Sequence, residues 1–339
     1  MKIDLLCPSG SPVGVTPMEI YSKGVGGAEL AMLTWVEAMR ERGHQVRVYN
    51  DPRSQAEDFL PIAAFEAGEK RDAVILFRNP DSRYRNANGK HIFWSCDQYT
   101  DGNYNRDILP WTDTVVGISP RHHEYFTHNY RWPAKKMSVI DLPVRAQDYK
   151  PFLSEIKEEG LCLFCSVPER GLLQLRPLWN RILARVPNAS LVVTSDYRLW
   201  GGDHGTTEYR MAWIGTKKVQ YLGMIDRMQL ALLQCKSMVQ VYPCIYDELF
   251  CIATAECQYT GAVPVTSYSG ALVSTNRAGI LVEGTPGTEQ FDAVFVDWVV
   301  TMLTDKETYQ KQSDLCKQVA QIDFSVDLFT MRWEALLNE

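Results

Sequence analysis

The 339-residue sequence predicts an α/β protein of two domains, each built around a doubly wound parallel sheet. Short apolar and β-branched runs, typical of buried parallel strands, alternate with longer segments of helical periodicity. This alternation occurs twice, before and after a charged stretch from Val144 to Gly160 that lacks strand character. The chain length also suits about two domains.

The first series predicts a domain of residues 1–150. A strand at 3–7 is followed by a glycine-rich loop, and apolar spacing then predicts a helix from Gly27 to Arg42. Gly43 is a suitable helix terminator, and Pro120 is suited to begin a later helix. The remaining strands of this domain are predicted at 45–50, 73–77, 91–95, 114–119 and 137–143.

The second series predicts a domain of residues 151–320, followed by a C-terminal segment of residues 321–339. Its strands are predicted at 161–166, 190–195, 219–223, 238–243, 262–267 and 279–283. Its helices are predicted at 171–186, 226–236, 248–259, about 288–320 and 326–338. Two such halves facing each other would leave an interdomain cleft, in which ligands bind at the strand carboxyl ends.

The composition describes an ordinary globular protein, with 45% hydrophobic and 22% charged residues. No apolar run approaches the roughly 18 residues of a membrane span, and the opening MKIDLLCPSG becomes polar too soon for a signal peptide. Nine scattered cysteines favour reduced thiols, so a cytoplasmic location is expected. Cys162 and Cys165 have the spacing of a metal or redox pair, but their apolar surroundings favour core thiols.

The formal charge of −6 is unevenly distributed. Residues 1–150 carry 19 basic and 19 acidic side chains, so the whole excess of acid lies in the remainder. This balance argues against a broad basic footprint for nucleic acid. The segment from Arg78 to His91 interleaves Arg83, Tyr84 and Arg85, which suits either a solvated loop or a local nucleic-acid contact.

Two carboxylates stand out in the stretch from Tyr242 to Val265. Pro243 ends a strand, because proline cannot donate to a sheet. Glu248 then suits a helix start, and Glu256, eight residues on, would lie about 12 Å deeper along the helix. Helix N–H groups near the first carboxylate suit a ligand with hydroxyls at both ends and an anion between them, such as a nucleotide diphosphate sugar.

This stretch resembles the E-x7-E motif of retaining glycosyltransferases of family 4, which have the GT-B fold. The resemblance implies that Glu248 contacts the transferred sugar and that Glu256 holds the donor ribose. It also assigns Leu249 and Phe250 to the donor site. Usual family members have glycines beside the first glutamate (E-G-F-G), whereas this chain has Leu249, Phe250 and Cys251.

Two further segments are similar to the same family. The sequence GVGGAEL looks like its glycine-rich loop, which implies that Gly26 and Gly27 approach the donor, while Glu29 is a first-turn acid. The sequence SVPERGL looks like its phosphate-binding turn, with Arg170 positioned to neutralise the leaving diphosphate. A second basic residue often precedes that turn, but Phe164 and Cys165 occupy those positions here. In this family the last helix crosses back to the first domain.

On the acceptor side, Asp97 follows a predicted strand in WSCDQYTD. The family often has histidine there, and Cys96 takes that position. Asp97 is therefore expected either to act as a base or orienting group for the acceptor, or only to cap a turn. His122 and His123 suit acceptor or phosphate contacts, or an interdomain helix.

Two loops of the second domain also follow predicted strands. Residues 221–225 are a candidate for nucleobase binding, and residues 269–273 are a candidate for phosphate contact. An ordinary surface turn is the alternative for both.

The sequence therefore predicts a metal-independent retaining glycosyltransferase with an acceptor-binding first domain and a donor-binding second domain. No D-x-D motif and no convincing zinc spacing occurs, so neither cofactor nor metal is expected. The alternatives are a nucleotide-sugar epimerase of the same fold and a nucleotide-sugar-binding protein without activity. A glycan, lipid, small metabolite, protein or modified DNA base suits as acceptor, and the donor base, donor sugar and oligomeric state stay open.

Overall fold

The computed structural model describes residues 1–8, 14–22, 24–98, 104–200 and 206–339. The chain forms two compact units. The first comprises Met1–Ile20, Gly26–Pro143 and Val326–Glu339, and the second comprises Tyr21–Val25 and Val144–Ser325.

A seven-stranded parallel sheet forms the centre of the first unit, with the strand order β3-β2-β1-β4-β5-β6-β7. The strands are β1 (Lys2–Leu6), β2 (Gln45–Tyr49), β3 (Phe59–Leu60), β4 (Ala73–Phe77), β5 (Lys90–Trp94), β6 (Thr114–Gly117) and β7 (Met137–Val139). The helices between these strands, and the C-terminal helix of the chain, are α1 (Pro17–Ser22), α2 (Gly27–Glu41), α3 (Pro120–Asn129) and α11 (Val326–Asn338).

The second unit repeats this plan with six parallel strands in the order β10-β9-β8-β11-β12-β13. Its strands are β8 (Leu161–Phe164), β9 (Ser190–Val193), β10 (Val219–Tyr221), β11 (Val239–Tyr242), β12 (Val263–Ser267) and β13 (Ile280–Val282). Its helices are α4 (Leu172–Arg185), α5 (Thr206–Trp213), α6 (Arg227–Lys236), α7 (Ile252–Thr260), α8 (Leu272–Thr275), α9 (Glu289–Thr304) and α10 (Lys306–Asp323).

All the strands predicted from the sequence are present, because central parallel strands are buried on both faces and read as continuous apolar runs. The two-residue strand β3 and the short helices α1, α5 and α8 were not predicted. The single helix predicted at 288–320 is wrong, since Asp305 divides it into α9 and α10. Asp305 has extended backbone angles, and its side chain caps α10 by accepting from the Thr308 N–H group.

An aromatic cluster fixes α11 within the first unit. The ring of Trp333 on α11 lies 5.4 Å from Trp35 of α2 and 4.9 Å from Trp94 of β5. All three tryptophans are fully buried, and such edge-to-face contacts add to the free energy gained from burial.

Cys162 of β8 and Cys165, the residue after that strand, follow the alternation of an extended chain. Cys162 packs with one core cluster of the second unit, together with Phe164. Cys165 packs with another cluster, together with Leu161 and Leu163, on the opposite face of the sheet. Because the two thiols point to opposite faces, they are core thiols and not a ligand pair.

Over the described ranges, no helix has both the length and the hydropathy needed to cross a bilayer. The same part of the chain contains no group of three or more His, Cys, Asp or Glu side chains arranged to hold a metal ion.

Candidate functional site

Both sheets reverse their strand order at the first strand of the unit. β1 lies between β2 and β4, and β8 lies between β9 and β11. Connections from such neighbouring strands run to opposite faces of a sheet, so a crevice opens at the strand carboxyl ends. Polar side chains that follow β1, β4, β8 and β11 are therefore the principal candidates for a site.

A glycine brings two loops of the second unit together at this edge. Gly171 follows the 3₁₀ turn Pro168–Arg170 after β8, and its φ of 127° is a value that favours glycine. A Cβ atom on Gly171 would collide with the carbonyl of Pro243, which follows β11. Glycine thus lets the two loops approach closely, and this places Arg170 beside Glu248.

Arg170, which is partly buried, forms an ion pair with the buried Glu248. The Nη1 atom of Arg170 lies 2.8 Å from Oε2 and 3.0 Å from Oε1 of Glu248, which is only 2% exposed. The guanidinium also lies over the ring of Tyr246, 4.4 Å from its centroid. Burial opposes the charge on Arg170, but the attraction of Glu248 outweighs it and raises the pKa of Arg170, which therefore stays a cation.

Tyr242, the last residue of β11, binds the same carboxylate. Its hydroxyl donates to Oε1 of Glu248 at 2.5 Å. Burial first, and then the charge of Glu248, raise the pKa of Tyr242 well above its usual value, so the hydroxyl keeps its proton. The Ser166 Oγ atom lies 3.0 Å from the Tyr242 hydroxyl, and because the tyrosine proton points to Glu248, the serine is the donor.

The predicted loop 269–273 supports the Glu248 backbone. The N–H group of Ala271 donates to the Glu248 carbonyl at 2.7 Å. Gly270 has a φ of 54°, and a Cβ atom there would collide with the backbone of Glu248. The loop after β12 therefore holds the loop that carries Glu248, and phosphate contact by this loop stays a prediction.

The prediction that a helix begins at Glu248 is wrong. Helix α7 begins at Ile252, because Cys251 has left-handed backbone angles (φ 69°, ψ 75°) that cannot continue a right-handed helix. Glu248 lies instead in the loop between β11 and α7. The separation of about 12 Å that was expected between Glu248 and Glu256 assumed one continuous helix. It does not hold, because only Glu256 lies on α7.

Leu249 and Phe250 are part of the apolar core, at 6% and 2% exposure. The Phe250 ring packs edge-on against Phe324 with the centroids 5.7 Å apart. A donor contact from either residue would therefore come from its backbone.

Glu256, on α7, lies in a different buried cluster of the same unit. Its Oε1 atom is 2.7 Å from Nη1 of Arg227, and its Oε2 atom accepts from Gln234 at 3.1 Å. Arg227 also pairs with Asp148, from Nε to Oδ2 at 2.6 Å. Glu256 is 1% exposed and directs its carboxylate at these partners, so the ribose contact implied by the family resemblance stays a prediction.

Gly26 and Gly27 begin α2 in the first unit. Gly26 is the N-cap, with angles open to any residue (φ −63°, ψ 158°), and its carbonyl accepts from the Leu30 N–H group at 2.9 Å. The residue of this loop whose backbone angle favours glycine is Gly24, with a φ of 72°. Gly26 is buried and Gly27 is partly exposed, and a donor contact by either glycine stays a prediction.

Arg78 joins two carboxylates at the carboxyl edge of the first sheet. It follows β4 directly, with a left-handed φ of 66°. Its Nη1 atom donates to Glu29 at 2.6 Å, while Nε and Nη2 donate to the two oxygens of Asp97 at 2.6 and 2.8 Å. The sequence pointed to Asp97 but not to Arg78, whose position immediately after a buried strand was the available signal.

The charges of this cluster are mutually dependent. Burial raises the pKa of Glu29 against the opposing effect of Arg78. Burial also opposes the charge of Arg78, but Asp97 and Glu29 outweigh it and raise the pKa of Arg78. Asp97 accepts from Arg78 with both oxygens, an arrangement that orients the carboxylate, and its role as a base stays a prediction.

His122 is a core residue of the first unit. Its Nδ1 atom accepts from the Ile118 N–H group at 3.3 Å, and its Nε2 atom lies 3.4 Å from Ser95 Oγ. Burial lowers the pKa of His122 to about 3, so the ring is neutral at physiological pH. Both histidines lie on helix α3, where the His122 side chain is fully buried and His123 is partly exposed, and a ligand contact by either stays a prediction.

In the folded chain, the segment from Arg78 to His91 does not expose its aromatic and basic side chains together, as a nucleic-acid contact would need. The Tyr84 ring is 9% exposed and packs against Phe65, so it cannot stack on a base. Arg83 is exposed, but Nε and Nη2 both bind Asp81. The interleaved aromatic and basic pattern therefore does not form a stacking surface.

The candidate nucleobase turn at 221–225 lies at the carboxyl end of β10. The Tyr221 hydroxyl donates to the Ser195 carbonyl at 3.0 Å. Asp196, after β9, accepts from the Met224 N–H group at 3.3 Å and binds Arg198. These bonds order the turn beside the strand ends, and nucleobase binding stays a prediction.

A groove of about 930 Å³ occurs elsewhere in the second unit, lined by the end of α4 and the segment between α5 and β10. Its residues precede β9 and β10, so it lies at the amino edge of the parallel sheet. It is therefore separate from the clusters at the carboxyl edge.

No protein-family description matches this chain, and no curated protein does. Solved structures match over its full length. A glycosyltransferase from Rickettsia africae ESF-5 has a TM-score of 0.77 at 17% identity, covering 99% of this chain and 97% of that one. HepE from Anabaena, in complex with UDP-glucose, has a TM-score of 0.74 at 15% identity, covering 100% and 99%.

Sucrose-phosphate synthase from Thermosynechococcus elongatus is similar as well, with a TM-score of 0.68 at 16% identity, covering 100% of this chain and 98% of that one. At these identities the likeness establishes the fold. The two parallel-sheet units have the GT-B fold of glycosyltransferases, which confirms the fold class predicted from the sequence.

Proposed function

We propose that this chain is a retaining glycosyltransferase that moves a sugar from a nucleotide diphosphate sugar to an acceptor hydroxyl. The observation that carries the proposal is the buried cluster of Arg170, Glu248 and Tyr242 at the carboxyl edge of the second sheet, where the strand order reverses. The GT-B fold, and the UDP-glucose bound to HepE, support a nucleotide sugar as the donor.

Arg170 is proposed as the group that stabilises the leaving diphosphate. It is a cation in a partly buried position, where charge stabilisation is more effective than in open solvent. In the chain without donor it binds Glu248, so a diphosphate would have to compete with that carboxylate for it. The N–H groups of Ile252 and Ala253, in the first turn of α7, supply further donors, and the proposal therefore requires no metal ion.

Glu248 is proposed to contact the transferred sugar, and Glu256 to hold the ribose. In front-face transfer the bond from the anomeric carbon to the phosphate oxygen breaks as the bond to the acceptor oxygen forms on the same face. The departing phosphate takes the acceptor proton, so no side chain acts as a nucleophile. The binding of substrate in a closed site would exclude water and limit hydrolysis of the donor.

On the acceptor side we propose that Asp97 orients the hydroxyl, with Arg78 holding its carboxylate. Gly26 and Gly27 would admit the donor close to the start of α2. All nine cysteines are free, which supports the proposal of a cytoplasmic enzyme.

The test is a screen of UDP-, GDP-, ADP- and TDP-sugars, measuring the thermal shift and the release of free nucleotide with and without a chelator. The wild type is compared with Glu248→Ala and with Glu307→Ala, an exposed glutamate of α10 in the same unit. We expect one donor to stabilise the wild type and to release its nucleotide slowly. Glu248→Ala should lose turnover more than donor affinity, while Glu307→Ala should keep both.

Other outcomes favour the alternatives. Stabilisation by a donor without turnover across a broad set of acceptors would support a nucleotide-sugar-binding protein. Conversion of one nucleotide sugar into its epimer, with the nucleotide still attached, would support an epimerase. An equal loss of turnover in Glu248→Ala and Glu307→Ala would remove Glu248 from the proposed site.

A further inference from the structure

Two groups, Arg170 and Tyr242, hold the carboxylate of Glu248. In the proposed function Arg170 also binds the diphosphate of the donor, whereas Tyr242 has no such second role. Arg170 binds both oxygens through Nη1, and Tyr242 binds Oε1 through its hydroxyl. We propose that Tyr242 is a positioning residue that keeps Glu248 in place when Arg170 turns from Glu248 to the donor. This inference rests on the proposed function, in which Glu248 contacts the sugar and Arg170 the diphosphate.

Arg170 is poorly suited to hold Glu248 during the reaction. A diphosphate carries more negative charge than one carboxylate, so it attracts the guanidinium more strongly. When Arg170 binds the leaving group, its bonds to Glu248 weaken or break. Glu248 then needs another donor, because an unpartnered carboxylate at 2% exposure is costly and free to change its orientation.

Tyr242 is built to stay in place. It ends the central strand β11 and is 1% exposed, and its ring packs edge-on against Phe164 with the centroids 5.7 Å apart. Its hydroxyl accepts from Ser166, which follows β8, and donates to Glu248. A hydroxyl that accepts one hydrogen bond becomes a better donor for the next, so Ser166 strengthens the bond to the carboxylate.

The simpler alternative is that Tyr242 only fills the core. The two roles separate in Tyr242→Phe, which keeps the ring and removes only the hydroxyl. A suitable control is Tyr309→Phe in the same unit. Tyr309 is 7% exposed, and its hydroxyl donates to the Gly261 carbonyl at 3.2 Å, so the control also loses a buried hydroxyl and its hydrogen bond.

The experiment measures kcat, the donor KM and the affinity for the free nucleoside diphosphate of the active donor. Loss of a hydrogen bond to a charged group predicts a fall in kcat of about tenfold or more for Tyr242→Phe. The donor KM and the diphosphate affinity should change by less than about twofold, because Arg170 is unaltered. Tyr309→Phe should leave kcat unchanged.

A double-mutant cycle tests the connection to Ser166. Ser166→Ala should lower kcat in the same direction as Tyr242→Phe but by less, because it acts through the tyrosine. In the Tyr242→Phe background the serine substitution should add almost nothing, since the group through which it acts is gone. Independent, multiplicative effects would overturn the proposed order Ser166, Tyr242, Glu248.

The outcomes distinguish this inference from the proposed function. No turnover by the wild type with any donor would overturn the proposed function itself. An active wild type with an equally active Tyr242→Phe would overturn the positioning role alone. A Tyr242→Phe variant that loses kcat, diphosphate affinity and thermal stability together would assign Tyr242 to the core and would also overturn the positioning role.

Discussion

Arginines organise the polar clusters at the residue scale. Arg78, Arg170 and Arg227 each bind a carboxylate that is almost withdrawn from water. Such a carboxylate needs a charged partner, because an isolated buried charge is strongly unfavourable. The guanidinium can also serve two partners at once, as Arg78 does with Glu29 and Asp97.

The first residue-scale prediction concerns the competition for Arg170. Glu248→Gln keeps the size of the side chain and removes the charge that binds Arg170. We expect the variant to bind a nucleoside diphosphate about threefold to tenfold more tightly, because the guanidinium is released and a negative charge is removed. Turnover should fall at the same time, since the carboxylate proposed to contact the sugar is lost.

Isothermal titration with UDP, or with the diphosphate of the active donor, measures this change. Glu307→Gln, at an exposed site on α10, is the matched control and should bind as the wild type does. Weaker diphosphate binding by Glu248→Gln would contradict the proposed competition.

At this scale the sequence predicted residues but not their partners. Glu248 and Arg170 could be selected because each lies just beyond a strand in a recognisable pattern. Arg78 was placed in a polar surface segment, since nothing in its neighbourhood shows that Glu29 and Asp97 meet it. Ser166 and Tyr242 were likewise visible only as neighbours of the motifs.

At the scale of the element, the position at which α7 begins decides whether Glu248 lies on a helix or in a loop. The pattern around Glu248 suited a helix start, but the left-handed Cys251 delays the helix to Ile252. The resembling family has glycine at the corresponding position of E-G-F-G, and glycine is the residue that adopts this conformation most easily. In this chain the left-handed conformation is adopted by a residue with a side chain.

This geometry predicts an unusual order of stability. Cys251→Gly and Cys251→Ala both remove the thiol, which lies 3.2 Å from Thr254 Oγ1. The alanine variant keeps the left-handed strain, which costs about 1–2 kcal/mol, whereas glycine loses roughly 0.5–1 kcal/mol through the greater entropy of its unfolded chain. We therefore expect the glycine variant to be the more stable by about 0.5–1 kcal/mol.

Thermal or urea unfolding of the two variants checks this order. At an ordinary right-handed position alanine is the more stable residue. The position of Ser274, on α8, provides that comparison, with Ser274→Ala and Ser274→Gly measured in parallel. A Cys251→Ala variant more stable than Cys251→Gly would contradict the left-handed conformation.

At the scale of the whole molecule, each unit depends on groups that are distant in sequence. In the second unit Arg227 of α6 joins Glu256 of α7 to Asp148, which precedes the first strand of that unit. Tyr149 completes the group by donating to Gln234 at 2.8 Å. The network thus ties the beginning of the unit to two of its helices.

Removal of the central cation should destabilise the second unit strongly. Arg227→Met leaves Glu256 and Asp148 without their shared partner, and breaking a buried pair in this way costs about 3–5 kcal/mol. The control is Arg176→Met on α4, an exposed arginine of the same unit. Urea unfolding followed by circular dichroism measures the difference between the two variants.

Glu256→Gln in the Arg227→Met background should recover part of the lost stability, because it removes the charge that is left without a cation, whereas Asp148 still pairs with Arg145 at 3.1 Å. An Arg227→Met variant that unfolds like Arg176→Met would show that the network does not carry this stability. The same comparison separates the structural role of Glu256 from its proposed ribose contact, which affects donor affinity and not the unfolding of the free protein.

The sequence by itself determined the alternation of strands and helices in both units. It also placed Glu248 and Arg170 just after strands. The spacing of apolar residues, and the Gly and Pro residues that end strands and helices, are local properties of the chain. Only the tertiary structure decided which charges meet. Arg170 and Glu248 are 78 positions apart, and they come together because the parallel order sets β8 beside β11 and a glycine at 171 lets their loops touch. No local pattern carries that strand order, so the partners of each buried charge could be read only from the fold.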